Sequence, residues 1–152
     1  MLSLEHLKLL APKAQQFEMG TGGVPDITFH EVADALGSLS SLARRYARYK
    51  YANDESNYKF IKFHLMLYAF KRTVEKDVRI RSRVYWSAVV DMALEFHAHG
   101  KAFGIGRKAR RAHRRRWTRG DEDNFIVILN VLDQAEYDLR RAFREWNEKN
   151  NS

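Results

Sequence analysis

The last third of the chain repeats apolar residues at steps of three and four, and this periodicity restricts the fold more than any other feature. An α-helix turns once in 3.6 residues, so such steps place side chains on one helical face. The repeat consists of Phe125, Leu129, Leu132, Ala135, Leu139, Phe143 and Trp146. Acidic residues at 121–123 precede it, which suits the positive end of a helix dipole. We predict a C-terminal helix over residues 121–148.

The remaining chain has the same helical periodicity and few residues that break helices. It contains only two prolines, and no stretch alternates apolar and polar residues as a half-buried strand would. Thr28 and Glu31 have the spacing of a capping box, which predicts a helix that starts there and stops at Gly37. Ser40 or Ser41 is suited to cap the next helix, which we expect to reach about residue 51.

Two more helices are predicted between that point and Gly100. Residues 60–70 are so apolar that we expect the helix carrying them to be central in the core. Asp77 is suited to open a long helix that ends near Gly100. At 152 residues the chain suits one domain. The sequence therefore predicts an all-α fold: a single compact helical domain, residues 1–152, with about five to six helices.

The positive charge is concentrated in one short segment between the last two predicted helices. The chain has 27 basic and 19 acidic residues, and without eight residues of this segment its basic residues also number 19. A dense cationic run on an otherwise neutral body is typical of a protein that binds a polyanion. We predict phosphate contacts from Arg107, Lys108, Arg110, Arg111, Arg114, Arg115, Arg116 and Arg119. Because residues 101–120 contain glycines and repel one another, we expect an Arg-rich insertion that is mobile until an anion binds.

Residues 29–48 resemble a helix-turn-helix DNA-binding module, a likeness of about twenty residues. Ala33 lies where that family has a small residue, because the two helices cross closely there. Gly37 lies at its turn, where the family needs a positive φ. Four further residues match the family's positions for packing the helices together: Val32, Leu36, Ala43 and Tyr46.

The resemblance implies roles for the second helix, which in this family enters the major groove. Ser41, Arg44 and Arg45 would contact base edges, and Arg48 and Lys50 would contact phosphates. We expect Arg44, Arg45, Arg48 and Lys50 to cluster on the face of this helix away from Leu42 and Tyr46. The alternative is an ordinary helical hairpin whose basic face is only solvated. Four tyrosines among these cations could also stack on unpaired bases, although tyrosines at helical spacing more often belong to a core or its rim: Tyr46, Tyr49, Tyr51 and Tyr58.

Catalytic chemistry has little support in the sequence. Cysteine is absent, which excludes disulfides and cysteine-based zinc sites and fits a reducing, intracellular location. There is no nucleophile elbow, phosphate-binding loop or dinucleotide fingerprint. Asp91, Glu95 and His99 share one predicted helix face, but a solvated polar face is the ordinary interpretation. We predict a cytoplasmic binding protein without enzymatic activity, metal or cofactor, and with no membrane span.

These features favour a DNA-binding transcription regulator. In overall make-up the chain is similar to small bacteriophage regulators such as late-gene antiterminators, or to small terminase subunits. Two alternatives stay open: a helical subunit of a ribonucleoprotein complex that lines RNA or a single strand, and an adaptor whose Arg run docks an acidic protein surface. The expected partner is nucleic acid, with duplex DNA favoured over RNA, together with a larger protein or nucleoprotein machine.

We predict that replacing Arg110, Arg111, Arg114 and Arg115 by Ala weakens nucleic-acid binding for every sequence. The slope of log affinity against log salt should fall by about 0.9 for each phosphate of duplex DNA that is no longer neutralised, because fewer counterions are released. Titrations over a salt series measure both quantities. An unchanged affinity and slope at low salt would contradict the prediction and favour the adaptor.

Overall fold

The computed structural model describes residues 1–11, 27–76, 81–100 and 119–150. Within these ranges the protein has helices and no strand, so the all-α prediction with about five to six helices is confirmed. Two are 3-10 helices, Leu4–Leu10 and Glu55–Asn57. The other five are the α-helices α1 (Phe29–Leu36), α2 (Ser41–Tyr51), α3 (Tyr58–Glu75), α4 (Arg83–His99) and α5 (Arg119–Asn150).

Side-chain caps set where α1 and α2 begin. Thr28 and Glu31 form the predicted capping box: the Glu31 amide donates to the Thr28 hydroxyl at 3.3 Å, and the Thr28 amide donates to the Glu31 carboxylate at 3.2 Å. Of the two serines predicted to cap α2, Ser40 is the cap, and its hydroxyl accepts from the Ala43 amide at 3.2 Å. Local hydrogen bonding therefore fixes both starts.

The start of α4 differs from the prediction. The helix begins at Arg83, because the Ser82 hydroxyl accepts from the Tyr85 amide at 3.1 Å and caps it there. The predicted start at Asp77 is therefore wrong, and Asp77 itself lies outside the described residues. The predicted end is confirmed: Gly100 has a left-handed conformation with φ 63° and closes the helix.

The C-terminal helix α5 is longer at both ends than the predicted 121–148. It begins at Arg119, so Arg119 and Gly120 are helical and do not belong to a loop. Asp121 in its first turn is buried, and its carboxylate accepts a hydrogen bond from the Tyr85 hydroxyl at 2.6 Å. The Arg81 guanidinium lies 3.6 Å from the same carboxylate. These contacts of Asp121 hold the first turn of α5 against the start of α4.

The chain packs as two compact units, which we call the terminal unit (Met1–Tyr58 with Gln134–Ser152) and the central unit (Lys59–Asp133). The core of the terminal unit combines the first 3-10 helix, α1, α2 and the end of α5, and includes Leu7, Leu10, Val32, Leu36, Ala47, Leu139 and Phe143. The Asn147 side chain joins the two sequence segments of this unit. It accepts from the Leu2 amide at 2.8 Å and donates to the Leu2 carbonyl at 2.9 Å.

The central unit contains most of α3, all of α4 and the first part of α5. Its fully buried side chains include Ile61, Leu65, Val90, Leu94, Ile128 and Leu132. The expectation that residues 60–70 are central in the core is wrong for half of that helix. Only one face of α3 is buried, and Phe60, Phe63 and Leu67 on the other face are 56%, 65% and 52% exposed. Within the described ranges, no helix combines the length and the apolar composition that a bilayer crossing requires.

Two glycines at helix ends should differ in how much an alanine substitution destabilises the protein. Gly100→Ala should lower the free energy of unfolding by about 1–2 kcal/mol, because φ 63° is strained for any residue with a Cβ. Gly37→Ala should change the free energy of unfolding by less than about 0.5 kcal/mol. Because Gly37 is right-handed, alanine stabilises the protein by lowering the conformational entropy of the unfolded chain, and a tight contact of the added Cβ offsets this gain. That contact is the 3.2 Å between an added Cβ and the Asp34 carbonyl. Urea denaturation followed by circular dichroism tests both, and equal effects would contradict the assignment of the two conformations.

Candidate nucleic-acid interface

The stretch that resembles a helix-turn-helix forms two consecutive helices, with eight residues in α1 and eleven in α2. All four predicted packing positions are buried, namely Val32, Leu36, Ala43 and Tyr46. Ala33, the expected small residue, is partly buried. The apolar positions of both helices therefore face inward, and both helices pack against the first 3-10 helix.

Gly37 does not have the positive φ that the resemblance implies. Its φ and ψ are −60° and −29°, so it is right-handed. The chain leaves α1 by tight i to i+3 hydrogen bonds, in which the Gly37 amide donates to the Asp34 carbonyl at 3.1 Å and the Leu39 amide to the Leu36 carbonyl at 3.1 Å. The extended backbone at Ser40 then completes the change of direction. A left-handed residue is unnecessary at this turn, and that expectation is wrong.

The end of α2 is also well defined. Asn53 has φ 52°, and it is a left-handed residue other than glycine. The amides of Ala52 and Asp54 both donate to the Arg48 carbonyl at 3.1 Å, which closes the last turn. The Asp54 carboxylate then accepts from the Ser56 amide at 3.2 Å and starts the following 3-10 helix. Local contacts thus fix where α2 begins and where it ends.

One face of α2 is polar and basic, and we call it the basic face: Ser41, Arg44, Arg45 and Arg48. In an α-helix these four positions lie within about 100° of one another. Ser41 and Arg44 are exposed, whereas Arg45 and Arg48 are half-buried. The opposite side carries Leu42, Ala43, Tyr46, Ala47 and Tyr49, all buried. The basic face therefore points outward from the terminal unit at its N-terminal end.

Arg45 is held partly by the chain itself. Its guanidinium donates to the Asn57 side-chain oxygen at 3.5 Å, and Asn57 is buried. The Asn57 amide group in turn donates to the Asp54 carbonyl at 3.4 Å. Of the two arginines predicted to read bases, Arg44 is thus the more exposed and Arg45 the more restrained.

Lys50 does not share a face with the three arginines, contrary to the sequence prediction. It lies about 180° around the helix from Ser41, and its ammonium is 6.0 Å from the centre of the Tyr46 ring. The Lys50 ammonium binds the Glu136 carboxylate of α5 at 2.8 Å, with only 17% of the lysine side chain exposed. Its charge is therefore already matched within the terminal unit.

The Glu136 carboxylate contacts a lysine, a tyrosine and an arginine side chain. The Tyr51 hydroxyl donates to the same carboxylate oxygen as Lys50. The Arg140 guanidinium, one turn along α5, lies 3.6 Å from it. Burial, followed by this hydrogen bond and the nearby negative charge, raises the pKa of the Tyr51 hydroxyl well above its ordinary value. No signal in the sequence joins Lys50 to Glu136, because they are 86 positions apart.

The tyrosines interleaved with the cations have internal roles, as tyrosines at helical spacing more often do. Tyr46 and Tyr49 are 1% and 3% exposed, so their rings are covered. Tyr49 and Tyr58 contact each other with ring centres 5.6 Å apart. Unpaired bases could stack on these two rings only after the rings became uncovered.

The other predicted positions divide into described and undescribed residues. Arg119 is exposed in the first turn of α5. Seven of the predicted phosphate contacts lie outside the described residues, as does the rest of the segment 101–118: Arg107, Lys108, Arg110, Arg111, Arg114, Arg115 and Arg116.

On α4, the Asp91 carboxylate accepts a hydrogen bond from the Lys62 ammonium at 2.9 Å. Among the residues that the structure describes, no three His, Asp or Glu side chains come together as a metal site would need.

Comparison of the chain with protein-family models, with curated proteins and with solved structures finds no match in any of the three.

The Tyr51–Glu136 contact predicts how stability depends on pH. A hydroxyl whose pKa is higher in the folded state contributes stability below the unfolded pKa of about 10, and this contribution falls away as the pH rises further. Above about pH 10, the ordinary pKa of tyrosine, the free energy of unfolding should therefore fall more steeply with pH for wild type than for Tyr51→Phe. Urea denaturation at a series of pH values measures the difference. Parallel curves would mean that Tyr51 ionises alike in both states.

Proposed function

We propose that this protein binds nucleic acid through the basic face of α2, and that it is a DNA-binding transcription regulator of the helix-turn-helix type. The observation that carries the proposal is the arrangement of Ser41, Arg44 and Arg48 on an outward face of a helix whose opposite side is buried. A helix presented in this manner can enter a major groove without disturbing its own core.

The charge distribution on α2 supports the same proposal. The helix has four basic residues and no acidic one. The carboxylate of Glu136 binds Lys50 on the other side of the helix, so it does not neutralise the basic face. An outward cluster of arginines creates a positive potential that attracts phosphates and speeds their encounter.

Within the proposal the residues have separate roles. Arg44, exposed near the N-terminal end of α2, reads a base edge, and its guanidinium can pair bidentately with guanine O6 and N7. Ser41 and Arg45 assist it, and Arg48 contacts the phosphate backbone. The Arg run at 107–119 adds phosphate contacts. Lys50 is left out of the proposed contacts because it is paired with Glu136.

We expect wild-type protein to enrich a sequence motif from a random duplex pool, and Arg44→Ala to degrade one or two positions of that motif. The expected loss is about 1–3 kcal/mol of discrimination at each base, because one bidentate pairing disappears. Non-specific affinity should change little, since the phosphate contacts remain. Position-by-position comparison of the enriched motifs measures the effect.

Arg144→Ala is the matched control, because Arg144 is an exposed arginine of the terminal unit on α5. It should leave the motif unchanged. A motif that Arg44→Ala and Arg45→Ala both leave intact would place the reading surface elsewhere. No enrichment from duplex DNA, combined with tight and salt-dependent binding of RNA, would favour the ribonucleoprotein subunit instead.

A further inference from the structure

The exposed side of α3 carries a regular apolar row that nucleic-acid binding leaves unexplained. Its members are Phe60, Phe63, Leu67, Phe70 and Val74, which we call the α3 stripe. Phe63, Leu67 and Val74 are 65%, 52% and 76% exposed. The buried residues of the same helix, Ile61, Leu65 and Ala69, lie on its other side. Large exposed apolar side chains that form a row on one helix mark a surface for binding another molecule.

The spacing of the stripe indicates which kind of partner fits it. The steps are three, four, three and four residues, the pattern of the first and fourth positions of a heptad. Such a row forms a narrow seam about 21 Å long, at 1.5 Å per residue. It matches a second helix whose apolar side chains have the same spacing, which inserts its side chains between those of α3.

The charged residues beside the stripe indicate which kind of helix can bind to it. The positions that flank the stripe include Lys59, His64 and Lys71, all exposed. Glu75 is the one acidic residue of α3, and it lies 3.9 Å from Lys71. A second copy of this chain would bring basic flanks against basic flanks, which is unfavourable. A helix with acidic flanks would instead form ion pairs along both edges of the seam.

We propose that the α3 stripe docks an amphipathic helix of another protein, with apolar residues at alternating steps of three and four and Asp or Glu beside them. This interaction goes beyond nucleic-acid binding, because it uses α3 of the central unit and none of the residues of the basic face.

The probe is a synthetic helical peptide of about four heptads, with Leu at the seam positions and Glu at the flanking positions. A second peptide with Lys at the flanking positions is its charge control. Titration calorimetry with the full chain should detect the acidic peptide, with affinity that falls as salt increases. Phe63→Glu and Leu67→Glu should each weaken binding by about tenfold or more, since each removes an apolar anchor.

Val84→Glu is the matched control variant, because Val84 is an apolar residue of the central unit that is 81% exposed and lies outside the stripe. It should bind the acidic peptide like wild type. Circular dichroism checks that every variant remains helical.

Four results would overturn the proposal. They are no binding of the acidic peptide, equal binding of the basic peptide, self-association of wild type that Phe63→Glu abolishes, and loss of nucleic-acid affinity in the stripe variants. The third would make a second copy the occupant, and the fourth would make the stripe part of the nucleic-acid surface. Intact peptide binding without any nucleic-acid affinity would refute only the function proposed for α2.

Discussion

The carboxylate of Glu136 binds the ammonium of Lys50 and the hydroxyl of Tyr51, and this contact joins the last turn of α2 to α5 within the terminal unit. Lys50 and Tyr51 belong to the last turn of α2, while Glu136 belongs to α5. Lys50 lies on the side of α2 opposite Ser41, so its contact with α5 does not involve the exposed Arg44. The same carboxylate takes up one positive charge of α2 and leaves the others on the exposed side. The contact therefore contributes both to the packing of this unit and to its charge distribution.

The structural features that the sequence predicts correctly are those that a short stretch of chain determines. The capping box at Thr28 and Glu31, the serine cap of α2 and the glycine end of α4 each involve residues within a few positions of one another. Periodicity also predicts the class of fold and the C-terminal helix. The exposure of Arg44 is predictable because it lies opposite Tyr46 on a single helix.

The wrong predictions concern properties that distant residues or competing local contacts decide. The prediction that Lys50 lies with the arginines overlooks its place in the helix, opposite Ser41, and its partner Glu136 is 86 positions away. The apolar residues of α3 predict a central helix, yet burial depends on how many neighbours surround a helix, which its own sequence does not state. At Gly37 the 3-10-type hydrogen bonds of the turn make a left-handed residue unnecessary.

The terminal unit is assembled from the two ends of the sequence, and this has a consequence for the order of folding. During synthesis α1 and α2 emerge long before Leu139 and Phe143 of their shared core exist. The central unit is continuous, from Lys59 to Asp133, and all of it is synthesised before Gln134. The two hydrogen bonds between Leu2 and Asn147 join residues 145 positions apart, and contacts between such distant residues form slowly in folding. The core of the terminal unit is therefore complete only when two segments far apart in the chain have come together, whereas the central unit needs one continuous segment.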